Sequence, residues 1–560
     1  MSGPRTRARR TVDRRLPTLA VAPIIAAAAA LAVTHFVGPT GGDTAAHVYK
    51  TGLVAHGQSL VWDDLWYAGS YGVVGYGVVY YLLASLVGAA PIVVLSAGLV
   101  PLLFHLYVRR AWRVTSLLPP IVLAVVVVFY LAYGQDPFLL AMALTMVGLV
   151  LLAHDHPLWA ALPVGVAPFT NPVAVVVGAV FVVAAAVAWR PARRPAWLLA
   201  CALSPFVAVW LGVQLAFHER ASYLAQPAEL LKWAAVAAVG VALARLSDDP
   251  DRRAKQILFA VAGTLCLLAL VVPTELGNNA DRFLALFGLP ALLMVRRVRL
   301  PRAATAALLA AVAAVQLAAP VADVARRGDV AQTRRAFFAP AIAFARRDYR
   351  PDFRYHVVAL RLHWEACYFP RAGLPITRGW FRQSDWQHNE ILYDSPTPAQ
   401  YVAWLRDLGV SDVFVPHAAL DMSSTGEPSL IARSGAFARG GGAAGGGGRG
   451  GGGGGGGGPP PPPPPPAPPA AQGAAVTAVG HDTVAVVVTS PGAYVVKFTW
   501  TPYWRLVATP GSASAPGGVA RAPGGLARAP GDWTLLRADR AGRYVLRVQP
   551  SLRAALSQIF

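Results

Sequence analysis

The chain is poor in charge. Asp, Glu, Lys and Arg make up 14% of its 560 residues and hydrophobic residues 55%, whereas a soluble globular chain carries about 25% charged residues. With a mean hydropathy of +0.47, an ordinary water-soluble enzyme is excluded. Acids are the scarcer sign, 28 against 49 Lys and Arg, for a net charge of +21. In a soluble protein that excess would suit nucleic acid. Here the arginines stand in short clusters between long apolar runs, which is the pattern of membrane topology, and no nucleic-acid partner is expected. There are only three cysteines. Cys201 and Cys266 lie inside apolar runs and Cys367 stands alone, so neither a disulfide framework nor a cysteine metal site is expected. No phosphate-binding glycine loop, zinc signature, nucleophile elbow or kinase motif is present.

What is abundant is apolar sequence in runs of about 20 residues, the length that crosses a bilayer. Spans are expected near 16–37, 91–108, 117–133, 137–153, 195–217, 228–246, 255–272, 281–295 and 302–319. Segment 158–189 is interrupted by Pro163, Pro168 and Pro172 and reads as a broken hairpin of two helices turning near Thr170-Asn171. This predicts an α-helical polytopic membrane domain over 1–319, with about 11 transmembrane helices. The first span could also be read as a cleaved signal peptide, although its apolar run is longer than the usual core of one.

The basic clusters set an orientation. The amino terminus holds Arg5, Arg7, Arg9, Arg10, Arg14 and Arg15. Alternate loops then hold Arg109, Arg110 and Arg113; Arg190, Arg193 and Arg194; Arg245, Arg252, Arg253 and Lys255; and Arg296, Arg297, Arg299 and Arg302. The opposite loops offer only Lys50, Arg220 and Arg282. The positive-inside rule then places the amino terminus in the cytoplasm. The first loop, 38–90, and everything beyond about 320 fall outside the plasma membrane.

The outer half divides by composition. Residues 320–435 read as a small α/β domain, with strands at RYHVVAL (354–360) and DVFVP (412–416) and a helix at PAQYVAWLRDLGV (398–410). A Gly/Pro low-complexity linker follows over 436–475. The β-rich remainder, 476–560, carries TVAVVVTS, AYVVKFTW, WRLVAT, DWTLLRA and RYVLRVQP, the strands of a β-sandwich or meander.

Chemistry could sit at four places. Asp43 follows the first span and precedes TAAHVYKTGLVAHG, a segment amphipathic at helical spacing, with Tyr49 and Leu53 on one side and His47 and Lys50 on the other. Asp43 is then either the N-cap of a helix lying on the bilayer, anchored by Trp62, Trp66, Tyr67 and Tyr71, or a reactive carboxylate. Asp136, in YGQDP, is either an N-cap before Pro137 or a functional acid at the outer end of a span. In TELGNNADR, Arg282 is one of few cations on its side. With Glu275 and Asn278 beside it, it could hold a lipid phosphate, or it could pair with Asp281 or Glu275. The stretch 363–394 mixes Arg378 and Arg382 with His363, Asp385, Trp364, Trp380, Phe381 and Trp386. It reads as a sugar- or phosphate-facing surface or as an aromatic-stapled polar loop.

This layout resembles the GT-C superfamily of integral-membrane glycosyltransferases. Asp43 in GGDTAAH matches their first-loop acid, Asp136 in YGQDP a second acid at an outer helix end, and Arg282, more loosely, a phosphate-holding basic residue. TELGNNADR, HWEACYFPRAGLPITRGWFRQSDWQHNE and TPYWRL also look like a group of uncharacterised actinobacterial polytopic membrane proteins. The resemblance covers nearly the whole chain except 436–475. It implies a polyprenyl-phosphate-linked sugar as donor and a cell-envelope glycan or lipid as acceptor. Asp43 and Asp136 would be catalytic and would also be the ligands of a divalent cation, Mg or Mn. His47, Lys50, Glu275, Asn278, Arg282, Arg378 and Arg382 would bind substrate. The first loop opens on one acid where several families carry a pair, which bears on the metal. A non-catalytic envelope assembly protein and a lipid or glycan transporter are the rival classes. The absence of an internal repeat and of ionisable residues within the spans weighs against transport.

Overall fold

In the computed structural model, residues 21–34, 41–72, 76–217, 226–272, 276–325, 331–437, 473–508 and 525–559 are described. The amino-terminal arginines, Arg220, Glu275 and the 440–470 tract lie outside them. The chain forms two compact units: 1–39, 75–210 and 224–326 make a helical unit, and 40–74, 211–223 and 327–560 a mixed unit. Residues 40–74 of the expected first loop therefore fold with the carboxy-terminal half, whereas 75–90, with the helix Val78–Val87, belong to the helical unit.

The chain is mostly helical, and six described helices are long and apolar enough to cross a membrane: Ala89–Ala111, Asp136–Ala153, Arg190–Ala216, Pro227–Arg245, Arg252–Val271 and Arg302–Ala322. Shorter apolar helices are Val21–Ala32, Val78–Val87, Leu118–Ala132, Pro157–Phe169 and Pro172–Ala188. The span expected at 281–295 is instead a five-residue 3-10 turn, Gly277–Asp281, followed by the helix Arg282–Leu292. The 158–189 hairpin does break at Thr170-Asn171. Asn171 Oδ1 accepts from Val173 N at 3.0 Å and Pro172 opens the next helix, so an Asn cap and a Pro start coincide.

Close helix approach is built from small residues, as expected where the surroundings are as apolar as the side chains. A Cβ at Gly240 would overlap the ring of Phe259, and one at Gly148 would overlap Val164. Phe104, Phe181, Phe283 and Phe287 form an aromatic cluster with centroids 5.1–6.2 Å apart. Pro290 lies inside Arg282–Leu292 and cannot donate to Leu286 O, four residues back. The buried Gln316, from the helix Arg302–Ala325, repairs the break. Its Nε2 donates to Ala285 O at 2.7 Å and Leu286 O at 3.3 Å, and its Oε1 accepts from Leu289 N at 2.9 Å. Two of the expected basic loops also meet. Ser247 bridges Val298, Arg299 pairs with Asp248, and Asp249 takes Lys255 Nζ at 2.6 Å and Arg296 N at 2.7 Å.

In the mixed unit, strands Arg354–Val357 and Val410–Phe414 pair in parallel. Parallel pairing requires a long crossover, and that crossover contains the helices Glu365–Arg371, Arg382–His388 and Pro398–Asp407. The last opens on a capping box in which Thr397 and Gln400 bond reciprocally. The carboxy-terminal region is a β-sandwich of two antiparallel sheets. Gly492–Thr499, Trp533–Ala538 and Gly525–Arg528 lie in that order in one sheet. The other runs Ala474–Val479, Thr483–Val488, Gly542–Val548, Trp504–Ala508. Alternate residues of both sheets, among them Val484, Val486, Val496, Phe498, Leu536 and Tyr544, fill the core between them.

The first-loop helix, Thr44–Ala55, does not present its apolar side to a bilayer. Ala45, Ala46, Tyr49 and Leu53 pack with Phe338, Tyr355, Cys367 and Phe369 in the α/β core. Trp66 and Tyr67 join the same core, and Trp62 enters the sandwich core against Trp504. The expected interfacial anchors are thus internal packing residues. An amphipathic pattern specifies a face to be buried, not the medium that buries it.

Candidate functional site

Asp43 stands at the N-cap position of Thr44–Ala55, but its side chain makes no capping hydrogen bond. Its Oδ1 instead accepts from Trp380 Nε1 at 2.8 Å. Asp43 is half-buried, and the indole that orients it is buried. His363 stacks on the Trp380 ring at an interplanar angle of 12°, and the Arg382 guanidinium lies 4.8 Å from the ring centroid. Both are tied to Asp421. Arg382 binds it through two nitrogens at 2.9 and 2.7 Å, and His363 Nε2 stands 3.5 Å from Asp421 Oδ2. Burial alone would raise the Asp421 carboxyl, but Arg382 and His363 outweigh it and hold the group far below the usual carboxylate range. His363 adopts a left-handed backbone at φ 54°, a strained state for a residue with a Cβ. The structure therefore assembles the sequence Asp43, Trp380, His363 with Arg382, Asp421.

Arg378 and Arg382 were expected to face substrate. Arg378 is buried and internally saturated. It binds Asp385 through Nε at 2.9 Å and Nη2 at 2.5 Å, Glu427 at 3.3 Å, and the hydroxyls of Ser424 and Ser423 at 2.6 and 2.8 Å. Glu427 also takes His356 Nε2 at 2.6 Å and Tyr401 at 2.8 Å. Burial would raise Asp385 and Glu427, but Arg378 holds the first low and His356 with Arg378 the second. Arg382 is partly exposed but committed to Asp421. This set is an internal ion network.

Lys50 and His47 are likewise internal. Lys50 is 1% exposed, 3.5 Å from Asp63 and 4.4 Å from the Trp66 ring centroid. Asp63 also meets His481 at 3.2 Å, and Asp64 N donates to His481 O at 2.7 Å. The pair Asp63-Asp64 thus couples the first loop to the β-sandwich. Burial lifts the Asp64 carboxyl well above its ordinary range, while Lys50 and His481 overcome burial at Asp63 and hold it below. His47 is buried 6.1 Å from the Phe381 ring.

In the helical unit, Asp136 is the first residue of its helix, with Gln135 at the N-cap. The expected capping role is therefore displaced by one position. Tyr80 donates to Asp136 Oδ2 at 3.2 Å. Arg282 Nε donates to Asn279 Oδ1 at 2.9 Å, and its guanidinium lies 5.5 Å from the rings of both Tyr130 and Phe138. Those two rings stack at 5.6 Å, and Phe138 lies two residues beyond Asp136. Asp136 and Arg282 thus belong to one neighbourhood. Asn278 Oδ1 accepts from Gln226 N at 2.7 Å. Asp43 and Asp136 belong to different units.

Among the described residues no three His, Cys, Asp or Glu side chains converge into a group able to hold a metal ion. The described partner of the Asp43 carboxylate is the Trp380 indole N–H, a donor that does not ligate a cation. Sequence reasoning missed Tyr80 and Asp421 as partners of these sites. Asp421 had a local signal, because DMSS forms an Asx turn in which its carboxylate accepts from Ser423 N at 3.0 Å. No protein-family model, curated protein or solved structure matches the chain.

Proposed function

We propose that the protein is a membrane glycosyltransferase of the GT-C type. In this reading a sugar passes from a polyprenyl-phosphate donor to a cell-envelope glycan or lipid on the outer face of the plasma membrane. The observation that carries the reading is the Asp43 carboxylate. It sits where a helix cap belongs, yet it is oriented by the indole of Trp380, 337 positions away, and it remains half-exposed. A carboxylate fixed in this way is suited to accept a proton. The acceptor hydroxyl would give its proton to Asp43 as its oxygen bonds to the anomeric carbon. The bond from that carbon to the donor phosphate would break, leaving the electron pair on the phosphate oxygen. Within the helical unit, Arg282, backed by Asn279 and two aromatic rings, is suited to hold a phosphate.

The six long apolar helices support a polytopic membrane protein, which in this reading makes about eleven passes. The pairing of loops 246–251 and 296–299 supports their lying on one side, as the basic clusters require. The amino terminus would be cytoplasmic and the mixed unit outside. The metal part of the expectation is not supported by the donor set, and no step here runs through a cation. The internal pairing of Lys50, Arg378 and Arg382 favours a second reading, a non-catalytic envelope assembly protein whose outer unit is purely architectural.

The test is Asp43→Asn, which keeps an oxygen to accept from Trp380 and loses the base. Membranes supplied with radiolabelled polyprenyl-phosphate sugars should show transfer reduced by about 10²–10⁴-fold, with expression and insertion unchanged. Retained transfer in that variant removes Asp43 as the base; no transfer by the unaltered protein with any donor favours the assembly reading.

A further inference from the structure

We propose that the cavity between residues 392–396 and the helix Glu427–Ser434 is a binding site for a neutral sugar. The cavity measures about 430 Å³, within the roughly 300–1,000 Å³ of small-ligand pockets. It lies within the mixed unit and uses neither Asp43 nor Arg282, so its failure and that of the transfer reading are separable.

The chemistry of the wall selects the ligand class. Tyr393, Ser395, Ser423, Glu427, Ser429 and Arg433 all line it. Glu427 is the only carboxylate among them. Its oxygens are already taken by His356, Tyr401 and Arg378, so a cationic ligand finds no spare charge there. An anion fares no better. With Arg433 of the wall included, three arginines face Asp385, Asp421 and Glu427, so no excess charge of either sign is left to select an ion. What remains is hydrogen-bonding capacity. The Ser395 and Ser429 hydroxyls make no hydrogen bond to another described residue. Arg433 is exposed and commits only its Nε, to Ser429 O at 3.2 Å.

One rigid aromatic completes the wall. The Tyr393 hydroxyl donates to Asp385 at 2.6 Å and accepts from Arg382 at 3.1 Å, and its ring packs against Trp386 at 4.6 Å. A fixed aromatic side chain flanked by free hydroxyls and a guanidinium matches a pyranose, which offers C–H groups on its faces and hydroxyls at its edge. Ser395 is held at φ 54°, a strained conformation of the kind that collects at ligand sites.

The test uses the full-length protein in detergent micelles, titrated with methyl glucoside, methyl galactoside and methyl mannoside by saturation-transfer NMR. Inorganic phosphate is titrated in parallel. The unaltered protein should bind at least one glycoside saturably. Ser429→Trp, which fills the cavity from an exposed position, should abolish that binding. Arg433→Ala, which removes an exposed side chain and disturbs no core, should weaken it about tenfold. The proposal is overturned if no glycoside binds, if both variants bind as well as the unaltered protein, or if phosphate alone binds.

Discussion

The helical and mixed units solve one problem in opposite ways. Each contains buried polar groups, and each must satisfy them at the cost set by a medium of low dielectric. Among the described residues the helical unit has one buried ion pair, Asp249 with Lys255, at a connecting loop, and elsewhere uses a neutral amide and aromatics: Gln316 closes the backbone gap left by Pro290, and Arg282 rests on Asn279 beside two stacked rings. The mixed unit uses charge, in a network that binds Arg378 and Arg382 to Asp385, Asp421 and Glu427. An amide repair needs only local geometry. An ion network needs several distant segments to arrive together, so it also specifies which segments of chain belong to the unit.

Acid separates the two most strongly. The folded-state carboxyls of Asp385, Asp421 and Glu427 are all depressed. Their contribution is therefore full above the ordinary carboxylate range, near pH 4, and is lost as pH falls through the lower folded values. Below about pH 4 the mixed unit should become protease-sensitive while the helices stay protected in the same detergent-solubilised chain. Equal loss from both units would erase the contrast. Arg378→Ala is the next largest change. It leaves two carboxylates buried without their cation, a loss of about 3–5 kcal/mol, and should lower the melting midpoint of the mixed unit followed by limited proteolysis. Gln316→Leu is the smallest. It strands backbone groups of Arg282–Leu292 at about 1–3 kcal/mol and should lower only the midpoint of the helical unit.

The same contrast explains what could be read from sequence. The apolar runs, the Asn171-Pro172 turn and the alternating strands such as TVAVVV were legible because each signal is local. Lys50 was legible as a cation but not as a buried one, since its partner Asp63 is completed by His481, 418 residues further on. The helix Thr44–Ala55 showed a face to bury without showing whether lipid or protein would cover it. Arg378 resembled a ligand-binding arginine because, besides the local Asp385, its partners Glu427, Ser423 and Ser424 come from a separate segment. Gln316 drew no notice within an alanine-rich run, since its role depends on a proline in another helix.

The proposed function requires that Asp43 and Asp136 both lie on the outer side of the membrane. Single cysteines at Gly42 and Gln135, in a chain whose three native cysteines are replaced, report the side on which each acid lies. Gly42 has open space for a side chain, and Gln135 directly precedes Asp136. A membrane-impermeant maleimide added to intact cells should label both positions. Labelling of either one only after the membrane is opened would contradict the account.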